Sequence, residues 1–329
     1  MSEPVINVEK LTRFFDIRDK SAEKSGWFAR KVYKKFYALN ELDFSIRAGE
    51  KVAFIGPNGA GKSTTLKILS GLLQPSLGSA RVCGMLPWQN IRDLSRKIGL
   101  VFGQKTHLWP NLTVADTFDL LARIYSLEPQ AYLAQRDKLI EIFGLGEFLN
   151  QYALTLSLGQ KMRSDLACAL LHQPSVLFLD EPTIGLDVTA KAMLRDHLNK
   201  LAKEFEITVL LTSHDTDDIE KICDRVILID HGKKLLDTTV SALHRDYSKT
   251  KTLRLVTEEP DPVLTHPHAP MAEEKEPHCL TLKIDIQRAS VQEIVAMCLE
   301  QFTIRDMSIE DLPLEEIIKA IYAKRVCLL

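Results

Sequence analysis

Short apolar runs alternate with longer stretches of helical spacing through the first 240 or so residues. Residues 5–8, 42–46 and 51–55 have β-branched or alternating apolar character, and Ala48-Gly49-Glu50 supplies a turn between the last two. A helix is predicted from 61 to 73, another from 161 to 171, and residues 113 to about 148 carry helical spacing with few strand signals. Three compact apolar runs, at 176–179, 208–212 and 225–229, are each separated from the next by a helical segment. Strands alternating with helices predict a mostly parallel sheet covered on both faces.

Two segments break this rhythm. Residues 16–36 are inserted among the first strands. There Phe28, Val32 and Phe36 recur at i, i+4, i+8 with Trp27 beside them, Arg30, Lys31, Lys34 and Lys35 fall on another face, and no acidic residue occurs from Lys24 to Tyr37. That spacing predicts a basic amphipathic helix over 25–36, a form suited to an interface with anionic headgroups or a membrane protein, the alternative being a solvated helix packed on the first strands. Beyond about residue 243 the pattern changes again. Strands at 252–256 and 280–286 flank a loop rich in Pro, His and Glu, followed by helices near 291–300 and 314–324 with a strand at 302–307 between them. The chain is read as an α/β domain over 1–243, with a helical subdomain at about 105–165, and a small C-terminal α/β domain over 244–329.

Composition narrows the function classes. The 329 residues are 45% apolar and 26% charged, ordinary for a soluble globular protein. A net charge of −2 argues against whole-surface attraction to nucleic acid, and no nucleic-acid partner is expected. No window approaches eighteen consecutive apolar residues, and the first ten residues lack the layout of a signal peptide. The six cysteines, Cys83, Cys168, Cys223, Cys279, Cys298 and Cys327, form no CxxC pair, which predicts reduced thiols in an intracellular chain. His266, His268, His278 and Cys279 share a loop without a recognised ligand spacing, and a flexible loop is expected there.

Two motifs carry chemistry. Gly56-Pro57-Asn58-Gly59-Ala60-Gly61-Lys62-Ser63 fits G-x-x-x-x-G-K-[ST], follows an apolar run and opens a helix at Thr64. Its glycines let backbone N–H groups turn around phosphate oxygens, Lys62 supplies a point charge, and the helix N-terminus adds partial positive charge. Ser63 is placed to ligate Mg²⁺. The run 176–179 ends in Asp180 and Glu181, at the carboxyl end of a predicted central strand where such sheets bind ligands. Asp180 is suited to hold Mg²⁺ through water, and Glu181 to orient or deprotonate an attacking water.

Leu156-Ser157-Leu158-Gly159-Gln160 resembles the signature sequence of ABC transporter ATPases, with Leu158 where that sequence usually has Gly. The whole run from Ser157 to Asp187 is similar to that family, and the resemblance covers roughly residues 5 to 240. It implies a P-loop NTPase fold with a RecA-like, mostly parallel core, an antiparallel β-subdomain and a helical subdomain. It implies that Glu181 is the catalytic carboxylate, that His214 contacts the γ-phosphate, and that Gln104 touches Mg²⁺ and signals to the membrane partner. Asp187, in Gly185-Leu186-Asp187, would cross a dimer interface. Ser157, Gly159 and Gln160 would complete the ATP site of a second subunit, so that a homodimer sandwiches two nucleotides. Phe15 matches the aromatic that stacks on adenine, with Phe14 and Tyr37 as competitors. Segments such as 103–110 resemble ATPases of the type 2 exporter class, implying a separate permease and a place on the cytoplasmic face of the membrane. An importer ATPase, or a soluble relative acting on ribosomes or DNA, are the alternatives.

Overall fold

The computed structural model describes residues 3–18, 33–103, 105–247, 250–264, 272–286 and 288–326. The chain divides into two compact units, Met1–Thr238 and Thr239–Leu329. In the first, strand β1 (Ile6–Arg18) pairs antiparallel with β2 (Tyr33–Ile46), from Ile6 opposite Ile46 to Arg18 opposite Tyr33. A third strand, numbered β4 (Leu77–Val82), pairs antiparallel with the other edge of β1.

This hairpin corrects the expected helix over 25–36 at its described end. Residues 33–36 are strand, with Lys35 opposite Asp16 and Phe36 opposite Phe15. Tyr33, Phe36 and Tyr37 favour a pleated, half-buried surface, and pairing with β1 satisfies their backbone groups, so tertiary pairing overrides the helical spacing. Trp27, Phe28, Arg30, Lys31 and Val32 lie outside the described residues.

The main sheet is built from β3 (Lys51–Ile55), β5 (Ile98–Phe102), β6 (Val176–Asp180), β7 (Thr208–Thr212), β8 (Arg225–Asp230) and β9 (Lys233–Thr239), in the order β5-β6-β7-β3-β8-β9. The pairings from β5 through β8 are parallel. Val52, Phe54, Val176, Leu177, Phe178 and Leu210 are buried, as parallel strands covered on both faces require. The order places the carboxyl ends of β6, β7 and β3 side by side, and these ends carry Asp180, the loop to His214, and Gly56. Residues distant in sequence therefore meet in one crevice.

Helix α1 (Lys62–Leu69) follows the glycine-rich loop, and the four-residue α2 (Ile91–Leu94) precedes β5. Helices α3 (Val114–Tyr125), α4 (Pro129–Phe143) and α5 (Leu158–Leu170) fall where a helical subdomain is expected. Each begins on a local signal. Thr113 and Asp116 form a capping box, Pro129 opens α4, and Ser157 and Gln160 form a second box at α5. Helix α6 (Val188–Phe205) is capped by Asp187 and α7 (Thr216–Ile222) by Asp215.

In the second unit, α8 (Val240–Tyr247) packs against α10 (Leu314–Val326), which places the division a few residues before the change in sequence pattern. Strands β10 (Thr250–Thr257), β11 (Ala272–Glu276), β12 (Cys279–Asp285) and β13 (Ile304–Asp311) form an antiparallel sheet in the order β11-β12-β10-β13. Leu253, Leu255, Leu280, Leu282 and Ile284 line its buried face against Ile294 and Cys298 of α9 (Val291–Gln301). His278 sits in the tight turn between β11 and β12 at φ 62°, and Cys279 is already in β12. The expected flexible loop is thus a strand and a turn at this end, while His266 and His268 lie outside the described residues. Cys83, Cys168, Cys223, Cys279 and Cys298 are unpaired thiols. Among the described residues, no helix is long and apolar enough to cross a membrane.

Candidate functional site

The loop between β3 and α1 is shaped by its glycines. Gly59 and Gly61 adopt φ 83° and 109°, and a Cβ on Gly61 would lie 2.6 Å from the Ala38 carbonyl oxygen, so no other residue fits there. Lys62 folds back over the loop, its Nζ donating to the Gly56 oxygen at 2.6 Å and the Pro57 oxygen at 3.3 Å. Burial pushes the pKa of this ammonium down, and the neighbouring Glu181 and Asp180 carboxylates pull it back up. Asn58, Gly59, Gly61, Lys62, Ser63 and Thr64 line an open cleft of about 610 Å³, whereas Gly56 and the buried Ala60 do not line it.

The carboxylates close the other wall. Asp180 Oδ1 accepts from Thr212 Oγ1 at 2.6 Å, and Ser63 Oγ stands 3.4 Å from the same oxygen. Glu181 has φ 54°, a left-handed conformation that costs a non-glycine residue energy and is characteristic of functional sites. Its N–H donates to the Thr212 carbonyl at 3.0 Å, which holds the strained peptide in place. One carboxylate oxygen, Oε2, accepts from the His214 backbone N–H at 3.2 Å. The imidazole Nε2 of His214 comes within 3.0 Å of the other, Oε1, without the alignment of a hydrogen bond, so this buried oxygen keeps an unused acceptor. Burial raises the Glu181 pKa, opposed by His214 and Lys62. Gly103 N–H donates to the Asp180 carbonyl at 2.8 Å, and a side chain on Gly103 would collide with the Glu181 carbonyl oxygen. Gln104 itself lies outside the described residues.

Ser157, Gly159, Gln160 and Asp187 are not part of this cleft. They line a second groove of about 270 Å³, onto which the N-termini of α5 and α6 both open. Ser157 N–H donates to Gln160 Oε1 at 2.9 Å and Ser157 Oγ accepts from Gln160 N at 3.2 Å. Leu158 is half exposed at the rim, where a Cβ on Gly185 would approach its Cδ2 to 3.1 Å.

Comparison with known proteins gives the family of the chain. The family described as ABC transporter matches residues 39–184. The daunorubicin/doxorubicin resistance ATP-binding protein DrrA of Streptomyces peucetius is 30% identical over 304 residues, spanning 88% of this chain and 89% of DrrA. The chain belongs to the ABC transporter family, among its ATP-binding proteins. The probable multidrug ABC transporter ATP-binding protein YbhF of Escherichia coli (strain K12) is 35% identical over 234 residues, which are 71% of this chain and 39% of YbhF. The chain thus spans well under half of that relative's length. A solved dimeric, post-hydrolysis structure of the ATP-binding cassette MJ0796, bound to ADP and Pi, superposes with a TM-score of 0.59 at 26% identity, over 71% of this chain and 98% of that one.

The first cleft of this ABC ATP-binding protein is also lined by aromatic rings. Phe15 lines it together with Phe36, its cross-strand partner, and the Arg13 guanidinium lies 4.6 Å over the Phe15 ring. Phe14 and Tyr37 instead contact each other at 5.7 Å between ring centroids and do not line the cleft. Phe36, with Lys67 and Lys105, was missed by sequence reasoning. For Phe36 the missing signal was the strand alternation of 33–37, masked by the helical spacing of Phe28, Val32 and Phe36.

The segment after Gln104 is pinned to α5 by Asp165. Its Oδ1 accepts from Thr106 Oγ1 at 3.1 Å and from the His107 N–H at 2.7 Å. Burial pushes the Asp165 carboxyl up to about 6 from the usual 3.8, against those hydrogen bonds. The folded chain therefore holds this proton more tightly than the unfolded one. The stability it confers is complete below pH 3.8 and is lost as pH rises through about 6. Asp165→Asn keeps an acceptor and removes the charge. Denaturant titrations should show the variant gaining about 1.4 kcal/mol on wild type between pH 5 and pH 7.5. A gap that does not change with pH would contradict this account.

Proposed function

We propose that the chain binds ATP with Mg²⁺ in the Lys62 cleft, hydrolyses it in a head-to-tail dimer, and drives a separate membrane permease in the export direction. The observation that carries this reading is the separation of the two grooves. Lys62, Ser63, Asp180, Glu181 and His214 surround one, Ser157, Gly159, Gln160 and Asp187 the other, and none of the described residues lines both. A nucleotide needing both must take the second groove from another copy.

In the cleft, Lys62 and the N–H groups of Gly59 and of Gly61 to Thr64 hold the phosphates, while Phe15 and Phe36 offer aromatic faces to the base. The oxygen donors of Ser63 and Asp180 suit Mg²⁺, which takes hard oxygen ligands and draws the rest of its shell from phosphate and water. Gln104 joins them on the strength of the family resemblance alone. Bound there, Mg²⁺ supplies charge neutralisation at the β- and γ-phosphates. Glu181 Oε1, buried and with an unused acceptor, orients the attacking water and accepts its proton. His214, against the same carboxylate, faces the γ-phosphate. The export direction rests on the printed name of one relative, the Nod factor export ATP-binding protein I of Burkholderia lata. A peripheral place on the cytoplasmic face of the membrane follows if the permease is a separate chain.

Complementation between mutants tests the shared site. Ser157→Arg places a bulky cation in the second groove, and Lys62→Ala empties the first, so each variant alone should be inactive. Mixed one to one, half the dimers carry one composite site free of both lesions. Turnover should recover to about a quarter of wild type. A mixture as inactive as its components would show that each site lies within one chain.

A further inference from the structure

Beneath the catalytic pair lies a buried ionic cluster to which the proposed reaction assigns no part. Asp218, on α7, has no exposed surface. Its Oδ1 accepts from Arg195 Nε at 2.6 Å, and its Oδ2 accepts from Thr183 Oγ1 at 2.5 Å and Ser213 Oγ at 2.8 Å. The three donors come from three places of consequence. Thr183 stands two residues after Glu181, Ser213 immediately precedes His214, and Arg195 projects from α6, the helix capped by Asp187. Arg195 extends the link, reaching Asp215 at 3.1 Å and Asp217 at 3.4 Å. Lys191, four residues earlier on the same helix, pairs with Asp215 at 2.7 Å. Asp215 directly follows His214, and its N–H donates to Ser213 Oγ at 3.0 Å.

Both segments that carry the reacting side chains are therefore tied to α6 through one carboxylate and one guanidinium. We infer that Asp218 and Arg195 are positioning residues: they lock Glu181 and His214 to α6, so that displacement of Asp187 by a docking second chain reaches the catalytic carboxylate. The inference rests on the shared-site reading above. Buried ions are a poor way to gain stability, because leaving water costs each of them more than an apolar contact would. What such a pair does well is fix direction. The guanidinium presents donors in a rigid planar fork, and here that fork is divided between Asp218 on one side and Asp215 and Asp217 on the other. A helix transmits motion along its axis because its backbone bonds are internal, and Asp187 and Arg195 are separated by about 12 Å of that axis. Glu181 needs this support, since its left-handed backbone persists only where its surroundings hold it.

The test uses the full chain with Mg-ATP. Arg195→Met is expected to lower kcat at least tenfold with KM for ATP within twofold of wild type, because the nucleotide cleft is untouched while the carboxylate is released. Arg195→Lys keeps the charge but not the fork. It should restore the melting temperature while recovering only a small part of kcat, a split that a purely structural role does not produce. Thr183→Val removes one hydroxyl and no charge, and should lower kcat severalfold without changing KM. It decides the matter if Arg195→Met does not fold. Wild-type kcat in Thr183→Val and Arg195→Lys, or losses of kcat that merely follow melting temperature across the set, would overturn the inference. Glu181→Gln, run beside them, separates the two levels. Normal turnover in Glu181→Gln removes the underlying reading, whereas an inactive Glu181→Gln beside fully active Arg195 and Thr183 variants removes this inference alone.

Discussion

Glu181→Gln should bind ATP about as well as wild type, turn it over at least a hundredfold more slowly, and accumulate as an ATP-bound dimer. The amide keeps the size of the side chain and the acceptor for the His214 N–H, so the cleft and its phosphate contacts persist. What it lacks is a base. Proton transfer by a placed side chain contributes about 10²–10⁴-fold, and in phosphoryl transfer the protein mainly orients the water and stabilises charge. The neutral amide also avoids the cost of burying a charge, the cause of the raised Glu181 pKa, so the fold should not suffer. That raised pKa has a kinetic consequence. A base must be ionised, so wild-type kcat/KM for ATP, which reports the free enzyme, should fall on the acid side above the ordinary glutamate pKa of about 4.3, and the residual activity of the variant should lack that limb. Size-exclusion runs with and without Mg-ATP, beside a turnover assay across pH, read all three effects. Wild-type turnover in Glu181→Gln would remove it from the chemistry.

Sequence alone revealed most where the physics is local. The glycine-rich loop after β3, the acidic pair ending β6 and the signature-like run Leu156–Gln160 are each written in fewer than ten consecutive residues. Buried parallel strands are equally plain, because their apolar runs have no polar face. Weaker signals were lost. β5 carries Gly99 inside its apolar run, and β4 carries Gly78, Ser79 and Arg81. The end of β2 was misread because Phe28, Val32 and Phe36 satisfy a helical period, and only the pairing of Phe36 with Phe15 reveals the strand. The Asp218 cluster was invisible for another reason. Its partners come from positions 183, 195 and 213, and residues of these types at such separations carry no pattern until the fold brings them together. The separation of the Lys62 cleft from the Ser157 groove likewise became a geometric fact only with the fold.

Lys62→Ala should abolish tight ATP binding while leaving the ATP-free fold nearly as stable as wild type. Without nucleotide, Lys62 Nζ is held by two loop carbonyls, 2.6 and 3.3 Å away, with its pKa lowered by burial. Removing it therefore forfeits two hydrogen bonds and also relieves the cost of a partly desolvated ammonium, and these oppose each other. Phosphate binding has no such offset. Hydrogen bonds to charged groups contribute about 1.5–3 kcal/mol each, equivalent to roughly 10- to 150-fold in affinity. Loss of an ammonium facing polyanionic phosphate belongs at the upper end of that range, since Asp180 and Glu181 then face the phosphates with one cation fewer. Thermal melting separates the effects. Ligand at a hundred times its Kd stabilises a protein by about 2.7 kcal/mol, so Mg-ATP at that level should raise the melting temperature of wild type clearly. At the same concentration it should leave Lys62→Ala almost unmoved, with the two ATP-free melting temperatures within a few degrees of each other. A nucleotide-induced shift equal to that of wild type would take Lys62 out of the phosphate site.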